Sequence, residues 1–330
     1  MLEILTADEM KKADAAAIAS GTPGITLMQQ AGVSVAMTIA RHYEPCNVLV
    51  LCGPGNNGGD GFIAAAHLKK AGWNVRVACL VKKSALKGDA ALAAKEWEGE
   101  AEALNSNLGL KDARLIVDAV FGTGFSKGLE PELLTLFDKI RSKKIAVVAV
   151  DVPSGLDATT GNIAPGTLRA EMTITFCRKK VAHMLLPGKD VCGRIHTSFI
   201  GITDQTIADL KTSIFENGPA LWLRDFPIPQ ADSHKYTRGH AVVYGGPKRT
   251  GAACLGAAAA QKIGCGLVTI ASQPESAVIY NSYRASLMVD TWQTEEELRT
   301  ILRDERRNAV EQGAPGAQPP QKGDRESTPK

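Results

Sequence analysis

From Asn47 onward the chain alternates short, wholly apolar runs with helical stretches, and no other feature of the sequence limits the fold as strongly. The runs are "NVLVLC", "NVRVACLV", "ARLIVDAVF" and "IAVVAVDV", and between them lie "GFIAAAHLKKAG" and "ELLTLFDKIRSKK". A strand that is apolar throughout is covered on both faces, and strands separated by helices join a sheet in parallel. The pattern therefore predicts a doubly wound, mostly parallel α/β sheet with right-handed crossovers. It continues through "EMTITFC" and "RIHTSFIGI", so this domain is expected to close near residues 205 to 215.

Two helices should precede the sheet. Thr6 with Glu9 three residues on is a capping-box pattern, and Gly21 stands where a helix stops, which predicts a helix over residues 7 to 20. Leu27, Ala31, Val35 and Ile39 recur on one face and predict a second helix from Thr26 to His42. Beyond residue 205 the text turns irregular and Pro-containing, as a linker would. The strand, Gly-turn, helix, strand theme then resumes in "HAVVYGG", "TGAACLGAAAAQKIGCG" and "LVTIAS", and a further strand starts at "NAV". A sheet built on these few strands should leave "LVTIAS" with few neighbours and apolar surface in the open.

In an open α/β sheet the ligand crevice forms at the carboxyl ends of the strands. Three polar loops occupy that place: "GPGNNGGDG", "DAVFGTGFSKG" and "DVPSGLDATTG". The first sets Asn56, Asn57 and Asp60 among glycines, ahead of a helix whose N-terminal N–H groups suit a phosphate or pyrophosphate. The second allows close approach at Gly122, Gly124 and Gly128 and offers donors from Thr123, Ser126 and Lys127. Asp118 and Asp151 end apolar strands, where a carboxylate either caps a turn or serves a ligand. Asp118, the Asn57 amide and Ser154 are the hard oxygen ligands an alkali or alkaline-earth cation prefers, and Asp151 is the candidate acid/base group.

Other chemistries are disfavoured. A net charge of +3 with scattered Lys and Arg argues against nucleic acid or membrane as partner and for a small molecule. The seven cysteines form no CxxC pair and the histidines no HxxH or HExxH spacing, which points away from zinc and toward a reducing cytoplasm. There is no G-x-S-x-G elbow. Lys82 and Lys83 stand where a conventional NAD ribose wants an acidic residue, against an ordinary nucleotide-dependent oxidoreductase.

Five segments in order, "LTADEMKKAD", "LMQQAG", "GPGNNGGDGFIAAAHL", "VDAVFGTGF" and "AVDVPSGLDATTG", resemble the NAD(P)H-hydrate epimerase (YjeF N-terminal) family over residues 1 to 215. "HKYTRGHAVVYGG" with "TGAACLGAAAAQKIGCGLVTIA" is similar to the start of the ADP-dependent NAD(P)H-hydrate dehydratase, a ribokinase-like domain. The resemblance implies a Rossmann-like epimerase domain over 1–215 and an incomplete ribokinase-like α/β fragment over 239–310, while composition marks 216–238 as a linker and predicts a disordered tail over 311–330, which has almost no large apolar residue. The resemblance also implies repair of hydrated NADH and NADPH by interconversion of their S and R forms at C6 of the nicotinamide ring. Asn56, Asn57, Gly58, Gly59, Asp60, Gly122, Thr123, Gly124, Phe125, Ser126, Lys127, Gly128 and Asp151 would contact this substrate, with Asp151 catalytic. Asn57, Asp118 and Ser154 would hold K+, and a cytoplasmic homodimer is the family's expected state.

For the second region the resemblance places substrate contacts at Gly251 and Ala252, with ADP or ATP and Mg2+ required only by a complete dehydratase. The later GPG turn and the Gly-x-Gly-Asp motif of that family do not occur after Val310, and the tail reads as a shifted frame or abrupt truncation. Loss of dehydratase activity is the expectation. The competing reading from another class is a non-catalytic nucleotide-binding or interaction module, which interconversion of the two epimers would exclude.

Overall fold

The computed structural model describes residues 3–125, 128–304, 307 and 309–312, and it divides into two compact units, 1–224 and 225–330. The first unit opens with β1 (Ile4–Leu5), α1 (Ala7–Ala19) and α2 (Gly24–His42). Both halves of the capping box form at α1: the Glu9 N–H donates to Thr6 Oγ1 at 3.2 Å, and the Thr6 N–H donates to Glu9 Oε2 at 2.8 Å. The predicted stripe Leu27, Ala31, Val35 and Ile39 of α2 is buried.

The sheet then unfolds in chain order as β2 (Asn47–Cys52), α3 (Asn56–Lys70), β3 (Asn74–Cys79), α4 (Gly88–Glu96), β4 (Ala101–Ala103), β5 (Leu115–Ala119), α5 (Pro131–Ser142), β6 (Ala146–Val150), β7 (Met172–Phe176), β8 (Lys179–Lys180), α6 (Gly188–Cys192), β9 (Arg194–Ser198), α7 (Asp204–Asp209) and α8 (Pro219–Trp222). Seven strands line up as β4-β3-β2-β5-β6-β7-β9, all parallel, while β1 pairs only with β8. This is the doubly wound order with its reversal between β2 and β5. The unbroken apolar character of β2 follows from the layering. Val48, Val50 and Cys52 pack with α2 and α3 on one face, and Leu49 and Leu51 pack with Leu133, Leu136 and Phe137 of α5 on the other.

The structure moves one boundary that matters for the site. Asn56 to Asp60 are the opening residues of α3, whereas the sequence pattern places them in a loop ahead of it. Helix geometry is tolerated there because each of Gly58, Gly59 and Gly61 sits where a side chain would collide with neighbouring groups.

The second unit is a four-stranded parallel sheet of order β12-β11-β10-β13, built from β10 (His240–Tyr244), α9 (Gly251–Ile263), β11 (Leu267–Ser272), α10 (Pro274–Tyr283), β12 (Met288–Thr291), α11 (Glu295–Arg303) and β13 (Ala309–Gln312). The strand "LVTIAS" is β11 and pairs on both sides, with β10 and with β12, so the expectation that it would lack neighbours is corrected. The physical reason is "SLMVDT", a half-buried segment that the apolar-run criterion passes over and that supplies β12. Apolar surface is nonetheless open on the helices, at Leu255, Ile263 and Val278. The last strand, β13, takes in two residues that the sequence reading gave to the tail, and 313–330 lie outside the described residues. No helix among the described residues is long and apolar enough to cross a membrane.

Candidate active site

At the β2/β5 reversal a cleft of about 880 Å³ opens. Its walls include Asn56, Asn57 and Asp60 from α3, Gly122 to Phe125 after β5, and Asp151 and Lys180 at the ends of later strands. Met10, Lys11 and Asp14 of α1 and Leu27 and Met28 of α2 complete it. The first and second loops thus meet as the strand order requires, and Asp151 faces the same space.

The glycines of the first loop divide into two kinds. A Cβ on Gly53 would stand 1.8 Å from the Val120 carbonyl oxygen, and one on Gly58 would stand 1.9 Å from the Gly53 carbonyl oxygen. These two bare the backbone for the protein itself, letting the β5 loop and the first turn of α3 close on the end of β2. A Cβ on Gly59 would strike the Met28 sulfur at 2.4 Å, and neither Gly58 nor Gly59 lines the cleft. Gly55 differs, with nothing within 4 Å of the Cβ position. It caps α3 with no side-chain hydrogen bond, so the free N–H groups of the first turn are left for an anion. Gly124 and Gly128 are also open, while Ser126 and Lys127 lie outside the described residues.

Asp118 and Ser154 bond each other beside the loop after β5, and Asn57 lies against Gly122 of that loop. The Ser154 hydroxyl donates to Asp118 Oδ1 at 2.5 Å, and the Ser154 and Val120 N–H groups donate to the same carboxylate at 2.8 and 3.3 Å. Ser154 Oγ in turn accepts from the Phe121 N–H at 2.9 Å. Burial pushes the Asp118 carboxyl up from its ordinary value, with the Ser154 and Val120 bonds opposing. Among the described residues no Lys, Arg or His reaches it. Asn57 leans on Gly122, where an added Cβ would stand 3.0 Å from Asn57 Oδ1, and its buried Nδ2 finds no acceptor. A buried carboxylate without a counter-charge, the Ser154 hydroxyl and the Asn57 amide oxygen are hard-oxygen groups of the kind an alkali cation takes.

Asp151 is built into the cleft by backbone geometry. Both β6 and β7 end in a γ-turn of the rare kind: Asp151 has φ +65° with the Val152 N–H on the Val150 carbonyl, and Cys177 has φ +61° with the Arg178 N–H on the Phe176 carbonyl. Non-glycine residues held at positive φ are strained, and such strain concentrates at functional sites. The two turns bring Lys180 back under Asp151. Its three N–H bonds go to Asp151 Oδ1 at 2.6 Å, Thr175 Oγ1 at 2.8 Å and the Phe176 carbonyl at 3.0 Å. Thr175 donates to Asp151 Oδ1 at 2.9 Å. Oδ2 of Asp151 receives no hydrogen bond from the described residues and is the oxygen left for a ligand.

Burial works to raise the Asp151 carboxyl, but the Lys180 ammonium outweighs it, and the group lies below the usual carboxylate range. His183 completes the support: the Lys180 N–H donates to its Nδ1 at 3.0 Å, which leaves Nε2–H to donate to the Asp151 carbonyl at 3.0 Å. Burial, then the charge of Lys180, pushes His183 down to about 4, so the neutral ring serves both bonds. Lys180, Thr175, His183 and Asp14 are site residues the sequence reading missed. In the second unit Gly251 opens α9 with nothing near its Cβ position and Ala252 follows in the same turn, both exposed.

Residues 24–182 match the family model for the YjeF-related protein N-terminus, and 241–314 match that for NAD(P)H-hydrate dehydratase. The chain is 35% identical over 187 residues to the NAD(P)H-hydrate epimerase of Rhodopirellula baltica, covering 54% of this chain and 76% of that protein. The chain belongs to the NAD(P)H-hydrate epimerase family. It is also 36% identical over 290 residues to the bifunctional NAD(P)H-hydrate repair enzyme of Moorella thermoacetica, across 81% of this chain but only 54% of that protein's length. The crystal structure of yeast ynu0, YNL200c, is similar in fold, with a TM-score of 0.55 at 22% identity over 66% of this chain and 96% of that one.

Proposed function

We propose that the first unit interconverts the S and R epimers of hydrated NADH and NADPH. One observation carries the reading beyond the name of its relatives: the Asp151–Lys180 pair, buried at 2.6 Å in the wall of the cleft beside the anion-seeking end of α3. A carboxylate held as an anion in a partly closed cleft can take a proton from a bound hydroxyl or water, and the first turn of α3 suits a pyrophosphate. The free Oδ2 of Asp151 is the atom that touches the substrate. Gly122, Thr123 and Gly124 and the Phe121–Phe125 ring pair, with centroids 5.4 Å apart, also line the cleft.

The carbon that carries the hydrate's hydroxyl is bonded to the ring nitrogen, so its configuration is lost when the C–O bond breaks and is set again when water returns. Asp151 moves a proton in this cycle. Asn57, Asp118 and Ser154 would hold a potassium ion, whose charge, when it is bound, neutralises the buried carboxylate. No dehydration is assigned to the second unit.

The test is to give the purified chain one hydrate epimer and separate the products chromatographically with time. Appearance of the other epimer faster than in buffer is the expected result, and an unchanged epimer would refute the assignment and favour a binding module.

A further inference from the structure

We propose that Asp60 is the proton donor of the epimerase site, working opposite Asp151 in the same cleft. This rests on the function proposed above and adds a catalytic group to it. Asp60 is the fifth residue of α3, beyond the first turn in which the helix's free N–H groups hold an anion. It is 8% exposed, lines the cleft, and its carboxyl receives no hydrogen bond from the described residues. No hydrogen bond therefore compensates the cost of charging it.

The groups that face it set the same direction. Burial, then the charges of Asp151 and Asp14, push the Asp60 carboxyl well above its ordinary value, and Lys180 opposes them. The neighbouring Cys52 thiol is itself raised by burial, with Cys79 and Asp60 adding to the effect, so it brings no positive charge. Asp14 is raised to about 6, by burial against the pull of Lys180 and with the push of Asp151. Asp151 lies on the other side of its ordinary value because Lys180 bonds it directly. Carboxyl groups whose surroundings drive them apart divide the acid and base roles between them.

Asp60 gives its proton to the C6 hydroxyl oxygen. The C6–O bond breaks with its electron pair on oxygen, water leaves, and the ring-nitrogen lone pair forms a C=N bond to C6. Water then adds to the other face of C6, the π pair returns to nitrogen, and Asp151 Oδ2 takes the proton the adding water loses. Asp60 is left as the anion and Asp151 protonated. The proton returns to Asp60 through the water of the open cleft, and no co-reactant is consumed.

The experiment uses the full chain and its Asp60→Asn variant, with epimer interconversion and thermal unfolding both followed from pH 5 to 9. The wild type should lose kcat/KM as rising pH removes the Asp60 proton, and Asp60→Asn should lack that limb of the profile. Asp60→Asn should lose about 10²–10⁴-fold in kcat with KM changed less than threefold. A purely structural role would also lower stability. Here a folded-state group raised above its unfolded value destabilises the protein as pH climbs past the unfolded value, so Asp60→Asn should melt at or above the wild-type temperature at pH 7. Near-wild-type kcat in a folded Asp60→Asn variant overturns the proposal while leaving the epimerase reading intact. A wild type that does not interconvert the epimers overturns both. If the variant fails to fold, carbon-13 titration of the wild-type Asp60 carboxyl decides: a neutral acid at pH 7 supports the proposal, and a carboxylate refutes it.

Discussion

The two units of this chain share one local design and differ in what stands around it. In the first, β2 runs into a Gly-rich turn and α3; in the second, β10 runs into "GGPKRTG" and α9. Around the first turn are buried Asp60, Asp118, Asp151 and Lys180, carried in by α3, β5, the β6 end and β8. Among the described residues of the second unit the buried polar side chains are His240, Thr269, Ser272 and Ser276, none of them a carboxylate. A glycine turn at a strand end is therefore scaffold. The chemistry comes from the charges that neighbouring strand ends bring to it.

The sharpest way to break this contrast is to remove the cation that orders the first site. Lys180→Met leaves Asp151 buried without its partner and should cost about 3–5 kcal/mol in chemical denaturation. With the ammonium gone, only His183 and the Thr175 bond oppose burial at Asp151, so its pKa rises and the acid limb of the epimerase pH profile moves upward. The sign in the wild type is the reverse. Asp151 lies below its unfolded value, so the pair stabilises the fold above about pH 4 and the contribution fades as pH falls further.

Next in size is the glycine that serves packing. Gly53→Ala drives a methyl into the Val120 carbonyl, backbone against backbone, and should cost about 3 kcal/mol in urea unfolding. Asp118→Asn should weaken potassium activation by about 10–100-fold, measured as the K+ concentration for half-maximal rate. An unchanged potassium response would remove Asp118 from the ligand set. The smallest effect belongs to the second unit: Gly251→Ala meets nothing within 4 Å and should change stability by less than about 0.5 kcal/mol. A large loss there would show that the second turn is as crowded as the first.

Much of the fold was legible because it rests on local signals. Thr6 and Glu9 announced α1, wholly apolar runs announced a sheet covered on both faces, and Asp118 and Asp151 stood out as charges at the ends of such runs. The rest depends on neighbours that no local signal names. In "RKK", Arg178 is buried against Glu3 and Asp204, Lys179 meets Glu216, and Lys180 lies under Asp151. The apolar flanks "TITFC" and "VAH" were the signal that this run is not on the surface. Asp14 lay on a helix with no visible tie to the sheet. The glycines were legible as a bare backbone, but only the folded chain shows Gly53 crowded by the β5 loop, Gly58 crowded by Gly53, and Gly55 open on the cleft.

The most direct measurement compares wild type and Asp151→Asn, each folded and each given a single hydrate epimer at pH 7 with K+. The account requires the wild type to equilibrate the epimers and the variant to do so at least about a hundredfold more slowly. Equal rates would contradict it.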